Sequence, residues 1–126
     1  MNEIKKYAFY QCRFIKSITL QNVTKIGTHA FAGCSYLKTI NLSNELTKIE
    51  NSAFIFTPLE SITLPYGLTK IGEYAFLKCS NLTSIVIPES VTEISHLAFA
   101  ECRRLKSIVV LNSNTNIEDG AFWTSV

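Results

Sequence analysis

The stretch from Leu82 to Cys102 decides the fold, and it reads LTSIVIPESVTEISHLAFAEC. Ile85 and Ile87 alternate with polar or exposed positions, which is the two-residue period of a strand with one buried face. Pro88 ends that strand, because proline has no N–H to donate to a ladder. From Ile94 to Cys102 apolar residues recur three or four positions apart, which predicts a short helix or 3₁₀ turn that packs inward.

The same pattern repeats along the whole chain. An Ala-Phe pair recurs at spacings of 22, 23, 22, 23 and 23 residues, and an isoleucine stands four residues before each alanine. We call each unit a rung and number the rungs by their phenylalanines: Phe9, Phe31, Phe54, Phe76, Phe99 and Phe122. An internal period of this length is typical of a solenoid.

One rung cannot bury its own apolar face, so the rungs must stack. The sequence predicts a right-handed α/β solenoid with a parallel sheet on one face and short helical or 3₁₀ turns on the other. Residues 1–126 are expected to form one domain of five strand-bearing rungs and a partial C-terminal rung. Gly27 and Gly72 follow the rung isoleucine, where they are expected to relieve the bend into the turn.

The rung pattern resembles the BspA-type leucine-rich repeat, in which a strand of the form I-x-I-P precedes an A-F-x-x-C turn. Leu82–Cys102 follows it closely, and the resemblance extends from about Ile4 to Trp123. Rung three departs from it, with Thr57 in place of cysteine and one residue fewer before Leu59. The resemblance implies a surface-displayed or secreted protein that binds or adheres to another macromolecule, a protein or alternatively a glycan or matrix component.

Two columns of side chains are predicted to point outward from the strands, between the inward isoleucine and leucine positions. The resemblance implies that this surface binds the ligand, whereas short hydroxyl side chains also simply suit a solvated strand. We call it the strand face, and it comprises Ser17, Thr19, Thr39, Asn41, Ser61, Thr63, Ser84, Val86, Ser107 and Val109.

Composition argues against several classes of function. The net charge of +2 gives no reason to expect nucleic acid as a partner, and no apolar run is long enough for membrane insertion. The four cysteines form no CxxC pair, so no metal and no cofactor is expected. His29 and His96 occupy different places in their rungs, so they do not form a shared site. Without a nucleophile and a base in a recognisable arrangement, we expect no enzyme.

The cysteines fall in one column of the stack, because Cys12 and Cys34 lie 22 residues apart and Cys79 and Cys102 lie 23 apart. Disulfides are one interpretation, but side chains stacked in the same direction meet bridge geometry poorly. Thr57 takes the same column, and packing tolerates that exchange. The sequence therefore favours buried free thiols.

The compartment is left open by the sequence. The first residues lack the apolar stretch of a secretory signal, which predicts either an intracellular protein-interaction module or a piece of a longer precursor. The ends carry no recognisable cap, so apolar residues would be uncovered there. We expect a fragment of a longer array or an end-to-end homo-oligomer, with a C-terminal apolar patch formed by Val110, Ile117, Phe122 and Trp123.

Overall fold

The computed structural model describes residues 2–125 and stacks the predicted rungs into a solenoid of about five turns. Strands alone carry its regular structure, since residues 2–125 contain no helix. The ten strands are β1 (Glu3–Ile4), β2 (Ser17–Thr19), β3 (Lys25–Ile26), β4 (Thr39–Asn41), β5 (Lys48–Ile49), β6 (Lys70–Ile71), β7 (Ser84–Ile87), β8 (Glu93–Ile94), β9 (Ser107–Val110) and β10 (Asn116–Ile117).

The prediction of helical turns is wrong, and the backbone explains why. In each turn two residues, four positions apart, adopt positive φ between 53° and 71°, as Tyr74 and Lys78 do in rung four. An α-helix needs φ near −63°, so a left-handed residue at every fourth position interrupts it. The solenoid is therefore an all-β stack and not an α/β one.

The turns are held by hydrogen bonds between rungs. The Phe54 N–H donates to the Ala75 carbonyl of the next rung at 2.8 Å, and each of the other four Phe-to-Ala bonds measures 2.6–2.8 Å. Alternate amides donate within their own rung, as Ile55 N–H does to the Ser52 carbonyl. Amides used between rungs cannot donate four residues back, which a helix would require.

The rung isoleucines, which the sequence placed at the start of helical turns, lie in a six-stranded parallel sheet instead. Its order is β1-β3-β5-β6-β8-β10, and its register pairs Ile26 with Ile49 and Ile49 with Ile71. The four inner isoleucines of this sheet are buried, Ile4 is partly buried and the terminal Ile117 is exposed, while the residue before each one stays on the solvent side. The sheet was missed because a two-residue strand carries too little alternation to reveal itself.

The strands predicted from the sequence form two shorter sheets. β2 pairs with β4 and β7 pairs with β9, both parallel and both in the predicted register. Residues 61–64 of rung three lie between these two pairs and join neither of them. The single continuous sheet that the sequence predicts is therefore interrupted at rung three.

The core is a column of stacked phenylalanine rings. Consecutive rings lie 4.9–5.3 Å apart between centroids and are parallel within 10°. The four inner rings are fully buried, whereas Phe9 and Phe122 are partly exposed. Each inner ring fills the space between its two neighbours, so stacking supplies the burial that no single rung achieves.

Threonine and glycine set the spacing between rungs on the side of the six-stranded sheet. Thr69 donates both its N–H and its Oγ1–H to the Thr47 carbonyl, at 2.8 and 3.0 Å, and Thr47 bonds the Thr24 carbonyl likewise. A Cβ at Gly72 would lie 2.7 Å from the Asn51 nitrogen, and one at Gly27 would also meet backbone of the preceding rung. The glycines thus permit close approach of two rungs and do not serve to relieve a bend, because neither has a positive φ.

Candidate binding face

The strand face is laid out as the sequence predicts. All ten of its side chains are exposed. The pairing of β2 with β4 places Thr19 beside Asn41, and the pairing of β7 with β9 places Val86 beside Val109. The alternate residues of these strands are buried in the core, as Ile40 and Ile85 are, or are partly buried against it. The face is therefore an ordered surface carried by a rigid stack, which is the kind of support that binding sites need.

The chemistry of the face changes along the stack. In the first half its side chains are hydroxyls and one amide, and the Asn41 Nδ2 donates a hydrogen bond of 3.1 Å to the Thr19 Oγ1. In the second half the column that contains Thr19 and Asn41 becomes apolar, because it continues with Val86 and Val109, which are both exposed. The first half offers hydrogen bonds and the second half offers apolar contact.

Two grooves flank residues 61–64. The smaller has a volume of about 250 Å³ and lies towards rung two, between Asn41 and Thr63. The larger has a volume of about 400 Å³ and lies towards rung four, between Thr63 and Val86. Four residues of the predicted face, Ser61, Thr63, Ser84 and Val86, line this larger groove. The interruption of the sheet thus converts a flat surface into one with concave sites.

Two residues at the larger groove were not predicted from the sequence. Tyr66 and Leu111 line it and are 83% and 57% exposed. A signal did exist in the repeat. Tyr66 stands where rungs two and four have Asn44 and Glu89, and Leu111 stands where rung four has Pro88. A large apolar residue at a position that is polar or proline in other rungs marks a departure from the solvated surface.

The cysteines are free thiols in one column, three of them buried and Cys12 partly exposed. Each buried thiol donates to a phenylalanine carbonyl of the preceding rung, and the bond from Cys79 Sγ to the Phe54 oxygen measures 3.2 Å. Thr57 and Ser125 also donate to phenylalanine carbonyls from this column, to those of Phe54 and Phe99. The column therefore selects small side chains with a donor.

Burial makes these thiols weak acids. Desolvation raises the pKa of Cys79 to about 12 and that of Cys102 to about 11. It also raises the pKa of Cys34. The thiolate is the reactive form, so these three buried thiols are expected to react slowly at neutral pH.

Three lysines form a column on the six-stranded sheet, away from the strand face. Lys25, Lys48 and Lys70 are in register there. The Lys25 Nζ lies 4.0 Å from a Glu3 oxygen and 3.7 Å from a Glu50 oxygen. Acidic neighbours therefore screen one end of the column, which fits a solvated edge.

The histidines lie in different surroundings. The His29 ring stacks on Tyr7 at 4.9 Å, while the His96 Nδ1 lies 2.9 Å from the Asp119 carbonyl oxygen.

Within residues 2–125 no group of three or more His, Cys, Asp or Glu side chains could hold a metal ion. No helix in that part of the chain could cross a membrane. Of the predicted C-terminal patch, Ile117 and Trp123 are exposed, and Val110 and Phe122 are partly buried.

Comparison with known proteins identifies the repeat. The model of the BspA type leucine-rich repeat region matches residues 2–126 in six copies. A search of curated proteins finds no match.

Solved structures of bacterial proteins share the fold. A leucine rich cell surface protein from Faecalibacterium prausnitzii A2-165 has 36% sequence identity and a TM-score of 0.83, over 90% of this chain and 30% of that chain. The T. pallidum leucine rich repeat protein has 27% identity and a TM-score of 0.77, over 93% of this chain and 66% of that chain. The pneumococcal vaccine antigen PcpA, at 23% identity, has a TM-score of 0.78 over 96% of this chain and 34% of its own, and shows the fold alone. The chain thus spans at most about two thirds of these relatives.

Proposed function

The chain belongs to the BspA type leucine-rich repeat family, and from this premise we propose that it binds another protein through the strand face without catalysing a reaction. The observation that carries the proposal is the exposure of all ten face side chains, eight of them on β2, β4, β7 and β9, whose alternate residues pack into or against the core. Proteins with such repeats generally bind proteins. The face combines the two kinds of contact that protein interfaces use, hydrogen-bonding groups near Asn41 and apolar surface near Val86.

Adhesion at a bacterial cell surface is the finer form of the proposal. Its support is the likeness to the Faecalibacterium prausnitzii protein, which is described as a cell surface protein. Protease treatment of intact cells of the source organism tests it. Rapid loss of the protein from intact cells is expected, and full protection until the cells are lysed would contradict surface display.

An intracellular interaction module is the second candidate, and one observation favours it. All four cysteines are free thiols, which is usual for proteins kept in a reducing compartment. The same protease treatment separates the two candidates, because only an intracellular protein is protected in intact cells.

Binding through the strand face is tested by substituting its first half. A variant with Thr19→Arg, Thr39→Arg and Asn41→Arg places three bulky cations on exposed positions and leaves the core unchanged. Partner proteins that chemical cross-linking captures with the native chain should no longer be captured with this variant. A control with Ser35→Arg, Glu73→Arg and Ser80→Arg substitutes exposed residues on the turns and should retain them. Equal capture by both variants would contradict the proposed face.

A further inference from the structure

The charged side chains are distributed unevenly around the stack. In each of the first five rungs a corner segment runs from the residue before the cysteine column to the residue before the strand face. We call these segments together the ridge, and they are residues 11–16, 33–38, 56–60, 78–83 and 101–106. The ridge holds seven of the twelve Lys and Arg residues but only two of the ten acidic residues. The rest of the chain holds five basic and eight acidic residues, so a protein with a net charge of only +2 has a basic side and an acidic side.

Six of the ridge cations form two clusters, one at each end of the ridge. All six are exposed, and they are Arg13, Lys16 and Lys38 in the first cluster and Arg103, Arg104 and Lys106 in the second. Stacked strands lie about 4.8 Å apart, so Lys16 in rung one and Lys106 in rung five are separated by about 19 Å. The Lys38 N–H donates to the Lys16 carbonyl at 3.0 Å, and the Lys106 N–H donates to the Thr83 carbonyl at 2.9 Å. The backbone that carries the clusters is therefore fixed by the stack.

Five of these six cations form no ion pair within residues 2–125. The exception is Arg103, whose Nη2 lies 3.6 Å from a Glu101 oxygen. The other acidic residue of the ridge, Glu60, donates its N–H to the Lys38 carbonyl, but its carboxylate forms no ion pair in that part of the chain. The remaining ion pairs involve Lys25, on the six-stranded sheet. Like charges held this close repel one another, and an anionic partner would replace that repulsion by attraction.

Exposed aromatic rings lie among the cations. Phe14, in the first cluster, is 94% exposed, and Tyr36 occupies the same position in rung two and is 53% exposed. Phe56 is 52% exposed, and the Lys78 Nζ lies 5.7 Å from the centroid of its ring. Single exposed apolar residues are common on protein surfaces, whereas three rings along one basic ridge indicate a contact surface. The ridge thus offers apolar contact together with positive charge.

The ridge borders the strand face. Lys16, Lys38 and Lys106 each directly precede the first strand-face residue of their rung. A protein seated on the strand face therefore lies within reach of the cations. Carboxylates are the protein groups that Arg and Lys bind most strongly, and the rings beside the cations favour apolar side chains near those carboxylates.

We propose that the ridge binds an acidic segment of the partner protein, which extends along the stack, places carboxylates at both clusters and packs apolar side chains against the rings. The proposal rests on the proposed function, because it assigns the chemistry of that partner beside the strand face. An extended chain covers about 3.3 Å per residue, so about six residues separate the two groups of acids.

The test uses a rhodamine-labelled peptide, Gly-Asp-Glu-Phe-Ser-Thr-Ser-Phe-Glu-Asp-Gly, with fluorescence anisotropy as the readout. Saturable binding to the native chain is expected, and it should be lost in about 1 M NaCl, where the Debye length is about 3 Å. A second peptide of the same composition gathers its acids at the centre and reads Gly-Ser-Phe-Asp-Glu-Thr-Glu-Asp-Phe-Ser-Gly. It should bind at least about fivefold more weakly, because it reaches only one cluster at a time.

Charge reversal locates the site. The variant with Arg13→Glu, Lys16→Glu and Lys38→Glu reverses the first cluster and should weaken peptide binding by about tenfold or more. The control reverses three exposed cations on the side of the six-stranded sheet, with Lys5→Glu, Lys6→Glu and Lys48→Glu. It changes the net charge by the same amount and should leave the affinity within about twofold, because these positions face away from the ridge.

A second pair of variants tests the rings. Phe14→Ala removes a side chain that is 94% exposed, so it should weaken peptide binding by about threefold or more without lowering stability. Tyr66→Ala removes an aromatic side chain that is 83% exposed and lies outside the ridge, and it should leave binding unchanged. Far-UV circular dichroism of each variant verifies the fold.

Three results of these assays would overturn the proposal: no saturable binding at millimolar peptide, equal affinity for the two peptides, or equal weakening by the two charge-reversal variants. Tetragalacturonate carries the same number of carboxylates as the peptide on a sugar backbone, and tighter binding of it would assign the ridge to acidic glycans. Sedimentation with phosphatidylserine vesicles that charge reversal of the first cluster abolishes would assign it to a lipid surface. Self-association that the same variant abolishes would assign it to a second copy.

The two proposals fail separately. If one of these contrary results is found while the triple-arginine variant of the strand face still loses its captured partner, the proposed function stands and the ridge assignment fails. If that variant keeps its partner, the proposed function fails, and the peptide assay, which does not use the strand face, still decides the ridge.

Discussion

Removing one ring from the phenylalanine column tests how the stack is stabilised, and Phe54→Ala is the most informative change. The ring is fully buried, and its centroid lies 5.3 Å from that of Phe31 and 5.2 Å from that of Phe76. Hydrogen bonds tie the rungs on both sides, so the space cannot close around an alanine. The free energy of unfolding should fall by about 3–5 kcal/mol, the range for a large buried side chain that leaves a cavity.

The comparison is with Phe122→Ala at the other end of the column. That ring is partly exposed, and Phe99 is the only neighbour it stacks on among residues 2–125, at 5.3 Å. Its loss opens no enclosed cavity and should cost about 1–2 kcal/mol. Phe54→Leu, which keeps most of the volume, serves as the control for the inner position. Urea unfolding followed by circular dichroism measures all three variants. Equal losses for Phe54→Ala and Phe122→Ala would refute a stack in which each rung is stabilised by its neighbours.

Three further changes probe the column of small donors and the spacing of the rungs. Cys79→Ser keeps a donor to the Phe54 carbonyl, whereas Cys79→Val loses that bond and overpacks the site. The valine variant should therefore lose more stability, by about 1–3 kcal/mol, and the urea midpoints of unfolding measure the difference. Above about pH 9 the thiols of the unfolded chain ionise. Burial raises the pKa of Cys79 to about 12 and that of Cys102 to about 11, so these two thiols stay neutral in the native protein at that pH. The stabilisation from the neutral thiols is therefore fully present below about pH 9. Above it, each thiol lowers the free energy of unfolding by about 1.4 kcal/mol per pH unit until the pH reaches its native pKa, and replacing both cysteines by serine should flatten this fall. Gly72→Ala brings a Cβ within 2.7 Å of the Asn51 nitrogen and should cost about 1–3 kcal/mol, whereas Gly67→Ala, whose nearest neighbour is 4.0 Å away, should be nearly neutral in the same assay.

The repeat made most of the architecture predictable. Positions that keep their chemical type every 22 or 23 residues identify the core columns, the outward columns and the stacking direction. The strand face follows from the same register, because inward Ile40 and Ile85 fix the exposure of the residues beside them. Side-chain alternation and stacking thus carry real three-dimensional information in a repeat protein.

The turns could not be predicted in this way. Apolar residues three or four apart fit a helix and fit a turn with left-handed residues equally well. The left-handed residues include Tyr74, Leu97 and Phe56, which have no local preference for positive φ. Bonds between rungs impose that conformation, and a single rung of sequence does not contain them.

The opening of the ladder at rung three could not be predicted from the missing residue. The missing residue before Leu59 is visible in the sequence, but the chain is back in register at Glu60, whose N–H donates to the Lys38 carbonyl at 3.0 Å. The ladder is lost only beyond that point, in residues 61–64. Tyr66 and Leu111 are far apart in the sequence, and only the stack brings them to one groove.

Amide hydrogen exchange of the free protein, measured residue by residue by NMR, tests most directly the claim that the sheet is interrupted at rung three. The amides of Ile62 and Thr63 should exchange near the rate of an unfolded chain, because neither has a backbone hydrogen-bond partner within residues 2–125. The Phe54 and Phe76 amides, bonded to the next rung on either side of the segment, should be protected to the level of global unfolding. Protection of Ile62 and Thr63 equal to that of Phe54 would mean a continuous ladder, and it would contradict both the interruption and the groove.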